Sequence, residues 1–314
     1  MRTICYPEKG KVAFEEKAKP VCHSTGVLIK THYSGLSNGT ERNVMMGGNY
    51  GGGYPCCPGY QVLGEVVERG REVTHFEVGD LVYCANCGFG HWEYLPAEAN
   101  SLLVKLEASD DLEVMSLLAI VCVAYRNTIR LKIEPGERAL VFGGGVIGQV
   151  AAQVAKLNGA EVTLVAGEKD KLEAARALGI DHVLDRHAAD FEVRLREMAP
   201  WNTVLETSGA DVLDLIIGVD WSGGLVANEG RIALVAGRGQ ITYSSNAAQG
   251  RALTLVQSAH FRQEHLDAVV RLVRNGEIRL RPLLREVVEI EDAIAVYERL
   301  RDDPSHLLGT VFKW

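Results

Sequence analysis

The chain has 314 residues and a mass of 34.3 kDa, with 47% hydrophobic residues, so it can bury a large core and its length favours two domains over one. Its formal charge of -8, from 33 Lys and Arg against 41 Asp and Glu, with no long basic tract, argues against nucleic acid as a partner. The start, MRTICYPEKGKVAFEE, is charged where a signal peptide needs an apolar run, and no window approaches eighteen uninterrupted apolar residues, which disfavours export and membrane spanning.

The seven cysteines, at 5, 22, 56, 57, 84, 87 and 122, are odd in number and scattered. They read as thiols in a reducing cytoplasm rather than a disulfide framework. From Cys22 to about Asn100 short β-rich runs alternate with glycine-heavy turns: GVLIKTHYSG, GYQVLGEVVERG, VGDLVYC and HWEYLPAEA. Between the first two lies GTERNVMMGGNYGGGYPCC, whose glycines at 47, 48, 51, 52 and 53 and paired methionines predict a mobile, partly apolar lid. Such a lid suits a substrate with a sizeable nonpolar part. From Glu113 the pattern turns helical, with EVMSLLAIVCVAYRNTIRL carrying apolar residues at three- and four-residue spacing until EPGE breaks it.

The segment RALVFGGGVIGQVAAQVAKLNGAEVTLVAGEKDKLEAARALGIDHVLD then reads as an unbroken βαβαβ unit. Gly143, Gly145 and Gly148 form GxGxxG directly after the apolar strand Ala139 to Phe142, with Val146 and Ile147 opening the helix. Glycine at 143 allows the tight turn, at 145 the approach of a pyrophosphate to helix N-terminal amides, and at 148 close helix–strand packing. The next strand ends at Ala166 and Gly167, where an NAD site usually offers a carboxylate; the first acid is Glu168, followed by Lys169 and Lys171. NADP is slightly preferred over NAD on that ground. Further strand ends at WNTVLETSG, including Ser208, and at GRIALVAGRG, including Ala236, predict a doubly wound sheet with its ligand across the carboxyl ends. GRIALVAGRGQITY is also a candidate edge strand for pairing two copies into a homodimer. The tail follows as a helix in QEHLDAVVRLVRNGEI, a short strand and helix in RPLLREVVEIEDAIAVYERL, and a terminal strand in VFKW. The charged residues of both helices read as solvated faces.

Taken together, SGLSNGTE at 34–41, PGYQVLGEVVERG at 58–70, VGDLV at 78–82, HWEYLPAEA at 91–99, the glycine turn with its flanks at 134–160 and GRIALVAG at 230–237 resemble the medium-chain dehydrogenase/reductase superfamily, the zinc alcohol dehydrogenase relatives. The resemblance implies an α/β protein: a GroES-like β-rich catalytic domain over 1–118 and 258–314, with a Rossmann doubly wound domain over 119–257 between. It also implies hydride transfer with a nicotinamide dinucleotide. The departures at SGLSNGTE bring a narrower resemblance to the zinc-free branch that includes bacteriochlorophyllide-type dehydrogenases.

Zinc relatives typically show CG(T/S)D where this chain has Asn38, Gly39, Thr40 and Glu41, and PGHE where it has Pro58, Gly59, Tyr60 and Gln61. The third family ligand falls near Leu118 or Ala119, and the four-cysteine structural zinc lobe is also missing. Asparagine and tyrosine are poor neutral zinc ligands, so no three-ligand catalytic site is expected. Cys56, Cys57, Cys84, Cys87 and His91 could assemble one unconventional metal site, but the spacing favours thiols lining a loop.

Without a Lewis acid, a carbonyl taking hydride needs its oxyanion hydrogen-bonded and then protonated. Tyr60 stands where the resemblance places a metal ligand and is the first candidate donor; Thr40 matches the hydroxyl that relays the alcohol proton in zinc relatives, and Ser37 and Asn38 add donors on the same loop. Glu41, His32 and His91 are candidates for contacting substrate, the histidines also as reserve acids. The expected activity is zinc-independent interconversion of a secondary alcohol and a ketone on a small molecule. Reduction of an activated C=C bond by an enoyl- or quinone-type reductase, and a noncatalytic dinucleotide- or partner-binding protein, stay open.

Overall fold

Ten residues from Gly26 to Gly35, mostly buried, form the strand on which a seven-stranded sheet is assembled in the computed structural model, which describes residues 1–85, 90–221 and 223–314. Three strands lie against it, all antiparallel: Gln61–Arg69, Tyr94–Glu98 and, from the far end of the chain, Gly309–Lys313. Leu81–Ala85 and Leu103–Lys105 extend the sheet on one side and Leu284–Glu289 on the other. Val27, Ile29, Val62, Val66, Val82 and Leu95 fill one core cluster of this unit. A second gathers Ile4, Tyr6, Leu36 and Met45 with Val296, Tyr297, Leu300 and Phe312, so residues from both chain ends bury one another.

The chain divides into two units. One comprises Met1–Ile120, Phe261–Arg274 and Leu284–Trp314; the other comprises Val121–His260 and Asn275–Leu283. Asn275–Leu283 thus clusters with the second unit, inside the 258–314 stretch expected to return as a whole to the first. In the second unit six parallel strands run Arg138–Phe142, Glu161–Ala166, His182–Asp185, Trp201–Glu206, Val226–Leu234 and Thr254–Val256. Numbered by their sequence within the unit, their order across the sheet is 3-2-1-4-5-6, the doubly wound arrangement whose order reverses beside the first strand. Parallel strands need both faces covered, and these are buried accordingly, with Leu140, Val162, Leu164, Val204 and Leu205 fully inaccessible.

Three local readings are corrected. The stretch expected as a continuous loop after Gly35 contains an α-helix, Asn38–Met45. The segment beyond it is not a free lid: the Tyr54 hydroxyl shares its hydrogen between the Val44 and Met45 carbonyls at 2.9 and 2.8 Å, and the Asn43 side chain bonds Asn49 and the Tyr50 amide. Finally, Val226–Leu234, which holds residues 230–234 of the candidate edge segment, is an interior strand; Thr254–Val256 lies outside it at that edge of the sheet.

Candidate active site

Tyr60 sits immediately before the strand Gln61–Arg69, at the end of a turn built by close backbone approach. Gly59 has φ 91° and a Cβ there would lie 2.6 Å from the His91 ring, so only glycine fits. Tyr60 Oη donates to Ser37 Oγ at 2.8 Å. Burial first, opposed by hydrogen bonds with Ser37 and Thr40 and reinforced by the charge of Glu41, pushes the Tyr60 phenol up to about 12. The phenol therefore stays protonated at working pH and can donate a hydrogen bond or a proton. Tyr60 thus lies beside the hydroxyls of Ser37 and Thr40.

Glu41, His91 and Asn38 do not take the positions expected of groups meeting substrate. Glu41 is 1% exposed and His91 0%. The Glu41 carboxylate accepts from the Ser37 amide at 2.8 Å, from His91 Nε2 at 3.0 Å and from Tyr297 Oη at 2.5 Å. Ser34 Oγ accepts from the Trp314 indole at 2.8 Å and lies 2.8 Å from His91 Nδ1. The Glu41 carboxylate can only accept, which places the imidazole hydrogen on Nε2; in the neutral ring Nδ1 then accepts the Ser34 hydroxyl proton. Burial, then the neighbouring Glu41 charge, pushes the Tyr297 phenol well above its ordinary value, so it too remains a donor. Asn38 Nδ2 donates to the carbonyls of Leu307 and Leu308 at 3.0 and 2.9 Å, tying its helix to the C-terminal segment. His32 is half-buried on the Gly26–Gly35 strand, and its ring makes none of these bonds among the described residues.

Gln61, where zinc relatives carry glutamate, is fully buried and braces backbone: Nε2 donates to the Gly35 carbonyl at 3.2 Å, and Oε1 accepts from Tyr83 Oη and the Ile120 amide at 3.3 Å. Among the described residues no group of three or more His, Cys, Asp or Glu is arranged to hold a metal; Cys87, one of the thiols weighed for that role, lies outside them. The donor set at the family's ligand positions, an amide already bonded to two carbonyls and a phenol kept protonated, does not fit zinc.

In the second unit Gly145 caps the helix Val146–Leu157 with no side-chain hydrogen bond. A Cβ at Gly148 would lie 1.8 Å from the Gly143 carbonyl, whereas one at Gly145 would meet nothing within 4 Å. Glycine at 148 is thus required by the fold itself, and glycine at 145 leaves space before the N-terminal amides of Val146 and Ile147, which fits a dinucleotide pyrophosphate. Ala166 ends the second strand without a carboxylate. A Cβ at Gly167 would lie 2.6 Å from His187 Nε2 and 2.7 Å from Arg186 Nε, two exposed basic side chains from the end of the third strand that sequence reading did not single out. Lys169 is 90% exposed and pairs weakly with Glu173 at 3.8 Å, while Lys171 pairs with Glu168 at 3.0 Å. Burial would raise the Glu168 carboxyl, but the hydrogen bond and charge of Lys171 outweigh it and hold it below its ordinary value. At the fourth strand Glu206 Oε1 accepts from the Ser208 amide and hydroxyl at 2.8 and 2.5 Å and from the Gly209 amide at 3.0 Å, and Oε2 pairs with Arg238 at 2.7 Å. The Ser208 hydroxyl is thus engaged with Glu206, and the Ala236 amide donates to the Glu206 carbonyl at 3.3 Å.

A family described as alcohol dehydrogenase GroES-like domain matches residues 23–104, and one described as zinc-binding dehydrogenase matches 146–275. The chain belongs to the zinc-type medium-chain dehydrogenase/reductase superfamily. It is an NAD(P)-dependent oxidoreductase of the alcohol dehydrogenase-like kind. Sorbitol dehydrogenase of Halalkalibacterium halodurans is 29% identical over 64% of this chain and 67% of its own length. Acryloyl-coenzyme A reductase of Metallosphaera sedula is 26% identical over 82% and 83%. A thermostable alcohol dehydrogenase from Pyrobaculum aerophilum shares the fold with a TM-score of 0.85 and 24% identity, covering 100% of this chain and 99% of that one. No helix among the described residues is long and apolar enough to cross a membrane.

Replacing Tyr297 by phenylalanine removes one donor from a buried carboxylate and leaves the ring packing. Denaturant unfolding of Tyr297→Phe is expected to show a loss of about 1.5–3 kcal/mol. Wild-type stability in that variant would mean that the Tyr297 bond contributes nothing.

Proposed function

We propose that the protein interconverts a secondary alcohol and its ketone without a metal, with Tyr60 as the hydrogen-bond and proton donor to the substrate oxygen. The observation that carries this reading is the Tyr60 phenol, kept protonated by burial and grouped with the Ser37 and Thr40 hydroxyls where zinc relatives place a ligand. A nicotinamide dinucleotide, when bound, supplies or takes up the hydride. Tyr60 stabilises the negative charge that grows on oxygen and then releases its proton to it, and Ser37 and Thr40 lie on the path by which that proton is replaced. Gly145, Val146 and Ile147 hold the pyrophosphate, and Arg186, His187 and Lys171 favour a 2'-phosphate over a bare ribose diol.

The likeness to an acryloyl-coenzyme A reductase supports a second reading, reduction of an activated C=C bond, in which the same phenol would serve an enolate oxygen. A matched ketone and enone pair separates the two, because the oxyanion then lies at a different distance from the carbon that receives hydride. The narrower kinship with zinc-free bacteriochlorophyllide-type dehydrogenases and a cytoplasmic location belong to this proposal, the first supported by the Ser34–Glu41 segment and the second by the odd, scattered cysteines. The kinship predicts turnover of a chlorophyllide-type ring alcohol, and turnover of small aliphatic alcohols alone would remove it; cell fractionation tests the location.

Tyr60→Phe is expected to lower the single-turnover rate about a hundredfold with dinucleotide affinity nearly unchanged, and Thr40→Val less. With the phenol pushed up to about 12, its proton is present throughout pH 6–9, so no rate change across that window comes from Tyr60. A full single-turnover rate in Tyr60→Phe would reduce Tyr60 to a wall of the pocket. Titration with both dinucleotides is expected to favour NADP; tenfold tighter NAD would reverse the preference. The exposed edge Thr254–Val256 supports a homodimer with the two edges paired, and sedimentation giving a concentration-independent mass near 34 kDa would exclude it.

A further inference from the structure

Tyr6 and Cys56 face each other across an isolated antiparallel bridge. They exchange both backbone hydrogen bonds, Tyr6 N to the Cys56 carbonyl at 2.7 Å and Cys56 N to the Tyr6 carbonyl at 3.1 Å. In antiparallel pairing the next opposed residues, one step back on the first segment and one step on along the second, form a non-hydrogen-bonded pair with Cα atoms about 4.5 Å apart and side chains close. Those residues are Cys5 and Cys57. A disulfide takes Cα atoms roughly 4.4–6.8 Å apart, a range that includes the spacing ideal pairing gives one step beyond this bridge, and Cys5 lies close enough to Cys57 to feel its charge.

The two thiols are free, and they are unequal: Cys5 is buried and Cys57 half-buried. Lys17 Nζ donates to Cys57 Sγ at 3.3 Å and pairs with the Glu15 carboxylate at 3.2 Å; its ammonium also lies 5.2 Å from the centre of the Trp92 ring. Burial above all, and then the neighbouring Cys57 and Glu15, push the Cys5 thiol up to about 11. The accessible sulfur thus has a cation to hold negative charge, and the buried one has a carboxylate beside it to receive a proton.

We infer that Cys57 and Cys5 form a thiol–disulfide exchange site that takes a small disulfide, Cys57 attacking and Cys5 resolving. In the first step the Cys57 sulfur, having lost its proton, attacks one sulfur of the small disulfide. The S–S bond of the reagent breaks, one of its halves leaves as a thiolate and takes up that proton, and a mixed disulfide forms on Cys57. In the second step Cys5 gives its proton to Glu15 and attacks the Cys57 sulfur. The second half leaves as a thiolate and receives the proton from Glu15. Two protein thiols are oxidised, one disulfide is reduced to two thiols, and the first strand of the chain becomes linked to the segment leading into Tyr60.

The test uses glutathione disulfide on the reduced, full-length protein, followed by intact mass and peptide mapping, with Cys56→Ser as background so that neighbouring thiols are not confused. The expected product has lost two hydrogens and joins the Cys5 and Cys57 peptides. Cys5→Ala should stop at one glutathione on Cys57, Cys57→Ser should leave Cys5 unmodified, and Lys17→Met should slow the first step by at least about fivefold. A stable glutathione adduct on the unmutated pair, a link through any other cysteine, or no reaction in folded protein would each overturn the inference. Circular dichroism of every variant separates lost chemistry from lost folding.

Discussion

The buried carboxylate of Glu41 is the constraint on which the catalytic unit depends. A lone carboxylate moved from water into a protein interior costs several kcal/mol, and only close hydrogen bonding offsets that. Its donors come from the Ser37 backbone, from His91 fifty positions along the chain and from Tyr297, 256 positions away. Folding must therefore bring the helix Asn38–Met45, the turn before Tyr94–Glu98 and the helix Ala293–Asp302 to one point. The Ser34 hydroxyl and the Trp314 indole extend the same chain of bonds to the last residue.

The geometry around Tyr60 follows from that anchoring. The bond from the Ser37 amide to Glu41 holds the residue whose hydroxyl accepts the Tyr60 phenol, and the ring of His91 packs against Gly59, one residue before Tyr60. At the two positions matched to metal ligands Asn38 clamps the 307–308 carbonyls and Tyr60 keeps its proton, and at the neighbouring glutamate position Gln61 braces Gly35 and Ile120. A neutral glutamine suits this, since its Nε2 donates to the Gly35 carbonyl, a bond an ionised carboxylate could not make.

The dinucleotide unit obeys a more local logic. Its glycine turn is shaped by the Gly148 position against the Gly143 carbonyl and by Thr207, whose hydroxyl bonds the Phe142 and Gly143 carbonyls from the neighbouring strand end, and its strand order is the doubly wound one. The electrostatics at the strand ends are longer in range: the Glu206 carboxylate gathers the amides of Ser208 and Gly209 and the Arg238 guanidinium, fixing the turn after the fourth strand.

Period and spacing were therefore enough to read the βαβαβ unit, the glycine turn and the mismatch with zinc from the residues alone, because each is written within a few turns of chain. The helix Asn38–Met45 was hidden, since Asn38, Gly39, Thr40 and Asn43 are weak helix formers and its support comes from Glu41 bonding distant partners. In sequence Tyr297 is one more residue of the helix in RPLLREVVEIEDAIAVYERL, and Trp314 the end of the strand VFKW. Composition and local pattern by themselves determined the fold class, the nicotinamide fingerprint and the residue types at the ligand positions, because backbone propensity and hydrophobic period act over short separations. Only the tertiary structure decided that Glu41 and His91 are buried together while Tyr60 meets Ser37, because the choice between a solvated and a paired carboxylate depends on which groups arrive from elsewhere in the chain.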